Sequence, residues 1–410
     1  MESNRVMNVL FLTLLDFDSL DEHNIYTDLL REFYKFGHSV YVVSPVERRR
    51  RQSTKVRKTE SATILKLKIG NVQKTNIIEK GLSTVLIESR FIKGIRRFFS
   101  DVRFDMVLYS TPPITFYKAI EYVKKRDNAR TYLMLKDIFP QNSVDLGMLN
   151  TNGWKGFIYR YFRNKEKKLY AISDRIGCMS PANMHYIIQH NANVNPDKVE
   201  LCPNAIEVID KSVDENTRFS IRKKYNIPIE KKVFVYGGNL GKPQGIPFLI
   251  ECLKSQANNE NVFFLIVGDG TEYHLLDEFV ADVKQSNVCL LKRLPKEEYD
   301  TLVGACDIGM IFLDHRFTIP NFPSRLLSYM QAKLPVLAVT DSNTDIGKVI
   351  VEGMFGWWCE SNCVDNFSDI INQIECCKDL NNYKTTAYEF LQNNYAVQRV
   401  LLSSSLANAM

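Results

Sequence analysis

Long apolar runs are missing from this chain, and no stretch reaches the ~18 consecutive apolar residues that a membrane span requires. The apolar opening, Val6 to Leu15, is short and runs into Asp16, Asp18, Asp21 and Glu22, which suits a buried first strand and not a secretory leader. Histidine is scarce, six in 410 residues, and the six form no motif, which weighs against chemistry that groups histidines with carboxylates. Cysteine is absent before Cys178. The nine cysteines from there to Cys377 are an odd number, and neither Cys359 with Cys363 nor Cys376 with Cys377 has a partner pair at zinc spacing. Reduced thiols and no metal site are therefore expected. Also missing are a Walker ending, the dinucleotide spacing of glycines, any recognisable nucleic-acid module, and any repeat or low-complexity tract.

What is present has the composition of a globular protein, 45% hydrophobic and 24% charged, at a length that calls for two domains of roughly 200 residues each. The net charge of +6 is unevenly placed: residues 1–200 carry 33 Lys and Arg against 21 Asp and Glu, a net +12, while residues 201–410 carry 20 against 26, a net −6. A basic half joined to an acidic half suggests that the first faces an anionic surface. The first half alternates short apolar runs with segments of helical spacing. Strands are expected at 9–13, 40–43, 63–68, 106–109, 131–135 and 175–179, and helices at 25–36, 114–125 and 154–171. The pattern restarts, with strands at 232–236, 262–267, 288–292, 308–313 and 335–339 and helices at 247–255, 273–283, 296–306 and 324–332. Two runs of β–α alternation imply an α/β protein with two doubly wound parallel sheets. The expected bounds are 1–205, 206–385, and a helical segment 386–410 that packs back on the first domain.

Two motifs carry chemistry. Val235 to Gly245 reads VYGGNLGKPQG, directly after a strand and before a helix, and its glycines at 237, 238, 241 and 245 let backbone approach an anion closely. Lys242 adds a positive charge. The alternative is a tight glycine-rich turn with no ligand. Further on, Ile319 to Met330 reads IPNFPSRLLSYM. Pro323 and Ser324 suit a helix start, with Ser324 as cap or first-turn residue, so that free amides, the Ser324 hydroxyl and the Arg325 guanidinium meet at one end. The alternative there is plain capping beside a surface arginine. Asp137 follows the strand expected at 131–135, and a carboxylate at a sheet's carboxyl edge could hold or deprotonate a hydroxyl; equally, it could cap the turn before Pro140. His23, on the loop after the first strand, reads as a solvent-exposed histidine, and His185 and His190 as surface residues of a helix.

The order of GGNLGKPQG, then Val267-Gly-Asp-Gly270, Leu294 to Tyr299 (LPKEEY), Cys306 to Gly309 (CDIG) and Pro323 to Tyr329 (PSRLLSY) resembles glycosyltransferase family 4, nearest to transferases of bacterial capsule and O-antigen assembly, amino-sugar transferases included. Phe36 to Val43, Tyr109 to Ile114, Lys136 to Gln141 and Cys202 to Ala205 agree, so the likeness covers nearly the whole chain. The resemblance implies a GT-B fold, two Rossmann-like domains facing across a cleft, and a retaining, metal-independent transfer. The donor would be a nucleotide sugar, UDP-linked, as substrate with no cofactor, and the acceptor a glycan or lipid-linked chain. It places Gly238, Asn239, Lys242 and Gln244 near the donor phosphates and Ser324, Arg325, Leu326 and Ser328 opposite, with Arg293 and Leu294 by the base. Asp137 belongs to the acceptor domain, and no side-chain nucleophile is required. The chain also departs from the family. Asn239 and Gln244 stand where many members have an arginine and a lysine, and the two positions of the family's acidic pair fall on Pro320 and Ser328. An epimerase of the same shape and a silent nucleotide-sugar-binding subunit are the rival readings.

Three basic segments carry the expectation of a cytoplasmic protein lying peripherally on the inner face of a membrane: Arg48 to Arg51, Arg90 to Phe99 and Trp154 to Lys168. The last two mix cations with aromatics, as interfacial helices do. The alternative for each is a solvated basic face with its aromatics in the core.

Overall fold

The computed structural model describes residues 6–71, 77–283 and 286–409. The chain divides into two compact units, Met1–Glu207 together with Val397–Met410, and Val208–Ala396.

In the first unit the described strands lie in the order Lys55–Lys58, Thr63–Ile69, Ser39–Glu47, Asn8–Leu12, Met106–Ser110, Arg130–Leu135, Arg175–Cys178 and Val199–Leu201. All neighbours are parallel except the first pair. The central strands are buried on both faces, Val9 to Leu12 completely, which is why they read as unbroken apolar runs. All six expected strands are present, the second extended through Pro45 to Glu47. The edge strand Lys55–Lys58 has three exposed residues of four and no apolar alternation, so nothing in its pattern marks it. The expected helices appear as Thr27–Lys35, a 3-10 turn Ile114–Phe116 continued by Tyr117–Asp127, and Gly153–Ile172.

The return to the first unit starts at Val397, later than the expected 386. The helix Leu380–Asn394 stays with the second unit because aromatic contacts hold it there: Tyr383 stacks on Trp357 at 4.5 Å and Phe390 lies 4.8 Å from Phe355. Beyond it, the Val397 amide donates to the Ile206 carbonyl (3.0 Å), and Val397, Val400, Leu401 and Leu406 join the core built on Val9, Phe11, Phe33 and Leu108.

The second unit's strands run Val288–Lys292, Val262–Asp269, Lys232–Asn239, Ile308–Phe312, Val336–Thr340 and Gly356–Glu360, all parallel. Counted from the unit's own first strand the order is 3-2-1-4-5-6. It reverses between Lys232–Asn239 and Ile308–Phe312, and ligands of such sheets bind outside the carboxyl ends at that reversal. The strand expected at 232–236 continues three residues further, since Gly238 and Asn239 stay paired with Gly268 and Asp269. All nine cysteines are free. No helix among the described residues is long and apolar enough to cross a membrane.

Candidate functional site

At the reversal in the second unit, the two diverging strands pair over only two positions, Ile308 with Phe234 and Gly309 with Val235. Beyond them the Tyr329 hydroxyl stands among backbone groups, accepting from the Gly237 amide (3.2 Å) and lying 3.2 Å from the Val235 carbonyl and 3.0 Å from that of Met310. One buried phenol thus answers backbone polarity that sheet pairing leaves open. Space for it comes from Gly309, where a Cβ would lie 2.4 Å from the Tyr329 ring; likewise a Cβ on Gly237 would lie 1.8 Å from the Tyr299 hydroxyl.

On this floor rests Arg325. Its guanidinium carbon lies 4.4 Å from the centre of the Tyr236 ring, a cation–π contact, and Nη2 would be 3.1 Å from a Cβ at Gly238. Gly238 also has φ +130, which other residues rarely adopt. Nη1 is buried with no hydrogen-bond partner, and no carboxylate pairs with Arg325 among the described residues. Burial pushes the Tyr236 phenol up from its ordinary value, against the pull of Arg325, and burial does the same to Tyr329. Both rings are therefore neutral, and the positive charge is uncompensated. Arg325 is half-buried with Nη1 fully covered, and a cation so far removed from water is costly unless paired, so the geometry asks for an anion on its open side.

The glycine-rich loop beside it is braced from within. Gln244 is buried, and its Oε1 accepts from Asn239 Nδ2 (2.6 Å) and from the Gly241 amide (3.3 Å). The Leu240, Gln244 and Gly245 amides donate to Asp269, Gly241 and Lys242 carbonyls. Gln244 thus braces the loop, and the two neutral side chains expected near the donor phosphates bind each other. Gly238, Asn239 and Lys242 remain exposed. The loop lies against Gly268, where a Cβ would fall 2.1 Å from the Gly238 carbonyl oxygen. Because that neighbour is backbone and cannot swing aside, Gly268→Ala should cost about 2–3 kcal/mol, read as a lower urea midpoint with an unchanged m value.

Of the residues expected opposite the loop, Ser324 is exposed at the N-cap position of Arg325–Gln331, and its side chain makes no cap bond. The amides of Leu326 and Leu327 donate to the Pro323 and Ser324 carbonyls, so they are not free as expected. Leu326 is completely buried in the core and its side chain cannot reach a ligand at the surface. Ser328 is half-buried one turn on; Arg293 is exposed and Leu294 half-buried, just past Val288–Lys292. Tyr236, Tyr299 and Tyr329 were not singled out from sequence. The available signal was glycine at 237 and 309 within strands of bulky residues, which implies a large side chain seated over each.

In the first unit Asp137 follows Arg130–Leu135 as expected. Asn142 Nδ2 donates to both its oxygens (3.0 and 2.8 Å), and Thr111 Oγ1 donates to its carbonyl (2.8 Å). Burial pushes the carboxyl up to about 6, with the Ile138 amide and Asn142 pulling the other way. Groups with such values suit proton transfer near neutral pH. His23 is half-exposed and belongs to an ion network: its Nδ1 lies 2.8 Å from Arg31 Nη2, 3.4 Å from Asp28 and 3.5 Å from Glu207. His185 and His190 are exposed on the helix Pro181–His190.

The three basic segments differ. Arg49 pairs with Glu47 (2.7 Å) and Arg50 with Asp16 (2.7 Å), so this cluster is partly neutralised. In Ile77–Phe98 and the residue after it, Phe91, Ile95 and Phe99 are buried, the core reading. In Gly153–Ile172, Phe157 and Tyr161 are exposed.

Residues 217–390 match the model of the family described as glycosyl transferases group 1. Among curated relatives, a Pseudomonas aeruginosa protein named as the probable glycosyltransferase WbjE is 24% identical over 329 residues, 79% of this chain and 78% of that protein. WcaI of Escherichia coli, named for colanic acid biosynthesis, is 22% identical over 254 residues, 60% of each. Among solved structures, HepE of Anabaena in complex with UDP-glucose superposes with a TM-score of 0.68 at 14% identity, over 98% of this chain and all of that one (100%). Residues 217–390, in the second unit, are thus similar to the group 1 glycosyl transferases, and the likeness to solved structures shows that the two units carry the GT-B fold.

Proposed function

We propose that the protein transfers a sugar from a UDP-linked donor, with retention of configuration and without a metal ion, to a lipid-linked or glycan acceptor in capsule or O-antigen biosynthesis. The observation that carries this reading is the uncompensated guanidinium of Arg325, held on Tyr236 beside Gly238 at the sheet reversal. The UDP-glucose bound by HepE, and the polysaccharide named for WcaI, support the donor class and the pathway. As the sugar departs, negative charge grows on the leaving diphosphate. Arg325 meets it from a fixed position and Lys242 from an exposed one, and stabilisation of that charge is the main source of rate. In the first unit Asp137 takes a hydrogen bond from the acceptor hydroxyl and draws off its proton. The protein works peripherally at the inner face of the cell membrane.

The test is incubation with a panel of nucleotide sugars and a lipid-linked acceptor, followed by mass spectrometry. Transferred sugar is the expected product. Epimerised donor, or binding with no turnover, would replace this reading with another. Lys242→Ala should raise the donor KM roughly tenfold with a smaller change in kcat, as removal of a charge-assisted contact does.

A further inference from the structure

We infer that the helix Gly153–Ile172 is the surface by which this protein lies on an anionic bilayer, an inference that rests on the peripheral reading above and assigns it to one helix face. The helix is 20 residues long and carries six cations, Lys155, Arg160, Arg163, Lys165, Lys167 and Lys168, against a single anion, Glu166. Glu166 is buried and bound to Arg163, so it offers no charge to the outside. Lys165 is likewise engaged, 2.8 Å from Glu88. The inner face packs into the first unit through Leu169 and Tyr170, both buried, and through Phe162, which meets Phe139 at 5.1 Å.

After Gly153 at the start, the exposed positions described fall in one stripe at helical spacing: Phe157, Arg160, Tyr161, Asn164, Lys167, Lys168 and Ala171. The stripe holds three cations and no anion. Phe157 is 70% exposed and Tyr161, one turn later, 42%. Large apolar groups left in water beside exposed cations match the two layers of a membrane interface, rings among the upper acyl chains and Lys and Arg at the phosphates. A folded protein partner would pair the cations with carboxylates equally well but would also need a shaped surface for the rings; a bilayer yields to both. The helix is too polar to cross the membrane, so it lies in the interface plane.

Flotation of the full chain with vesicles of phosphatidylglycerol and phosphatidylethanolamine, against vesicles of phosphatidylcholine alone, tests the assignment. The wild type should partition to the anionic vesicles. The double variant Lys167→Ser/Lys168→Ser should bind roughly thirtyfold more weakly, about fivefold for each cation. Phe157→Ser/Tyr161→Ser should lose the part of binding that survives high salt, and Arg49→Ser/Arg50→Ser, whose cations already pair with Glu47 and Asp16, should bind nearly as the wild type does. All four positions in the first two variants are exposed, and unchanged thermal melts verify their folding. Wild-type flotation of either helix variant overturns the assignment, as does a wild-type dimer in sedimentation that Phe157→Ser/Tyr161→Ser dissolves. Turnover of donor with a water-soluble acceptor, run in parallel, separates the two questions. Helix variants should keep it, and its absence from the wild type would count against the transferase reading while leaving the flotation result standing.

Discussion

Arg325→Ala should lower kcat for sugar transfer by roughly 10²–10³, the loss expected when one fixed donor to a developing negative charge is removed. The same substitution should make the protein without donor slightly more stable, because the wild type holds a half-buried guanidinium with one covered nitrogen unpartnered and no opposing carboxylate among the described residues. The two effects have opposite signs, which sets the result apart from simple misfolding. Donor binding should also cease to raise the melting temperature, since that rise reports ligand bound only by the folded state. Arg325→Lys should recover little. An ammonium lacks the planar face that stacks on Tyr236 and the fork that grips two oxygens at once. Normal kinetics and a normal donor-induced shift in Arg325→Ala would dismiss the phosphate site.

Asp137→Asn should reduce transfer by about 10²–10³, within the range for a lost general base, while binding of donor alone stays as it was. The wild-type rate should fall as pH drops through about 6, where the half-buried carboxyl takes up its proton, and the variant should lack that limb. Stability has its own sign. A carboxyl that holds its proton more tightly folded than unfolded adds stability while protonated, and the contribution is lost as pH rises from the ordinary value of 3.8 to about 6. At neutral pH the wild type therefore carries a cost of about 3 kcal/mol, from which the uncharged amide of the variant is free. A variant less active yet more stable at pH 7.5, by kinetics and by urea titration, is the expected pair of results. Equal activity in both would return Asp137 to a turn-capping role.

Much of this was legible in the chain because the central strands are buried on both faces: runs such as Val9–Leu12 and Val262–Val267 declare themselves by apolarity alone. Strands at the margin do not. Lys55–Lys58 is set by pairing with Thr63–Lys66, a partner that local pattern cannot reveal. The position of Arg325 at a site was legible from the motif, but its uncompensated charge was not, since that depends on Tyr236 arriving from a strand 89 residues earlier. Gln244 departs from expectation for a related reason. Its polarity suggests a ligand contact, whereas the bond to Asn239 within the same loop has first claim on it. Leu326 is carried by its neighbours in the motif, and its burial shows that only some positions of that motif face outward.

The late re-entry at Val397 sets an order on manufacture. A chain made from its amino end completes every strand of the first unit before residue 208, yet the core of that unit also contains Val397, Val400, Leu401 and Leu406. The half that emerges earliest from the ribosome must therefore wait, with part of its apolar interior open, until the other half has been synthesised. Loss of the last fourteen residues would thus strike the domain that begins the chain and spare the one in the middle.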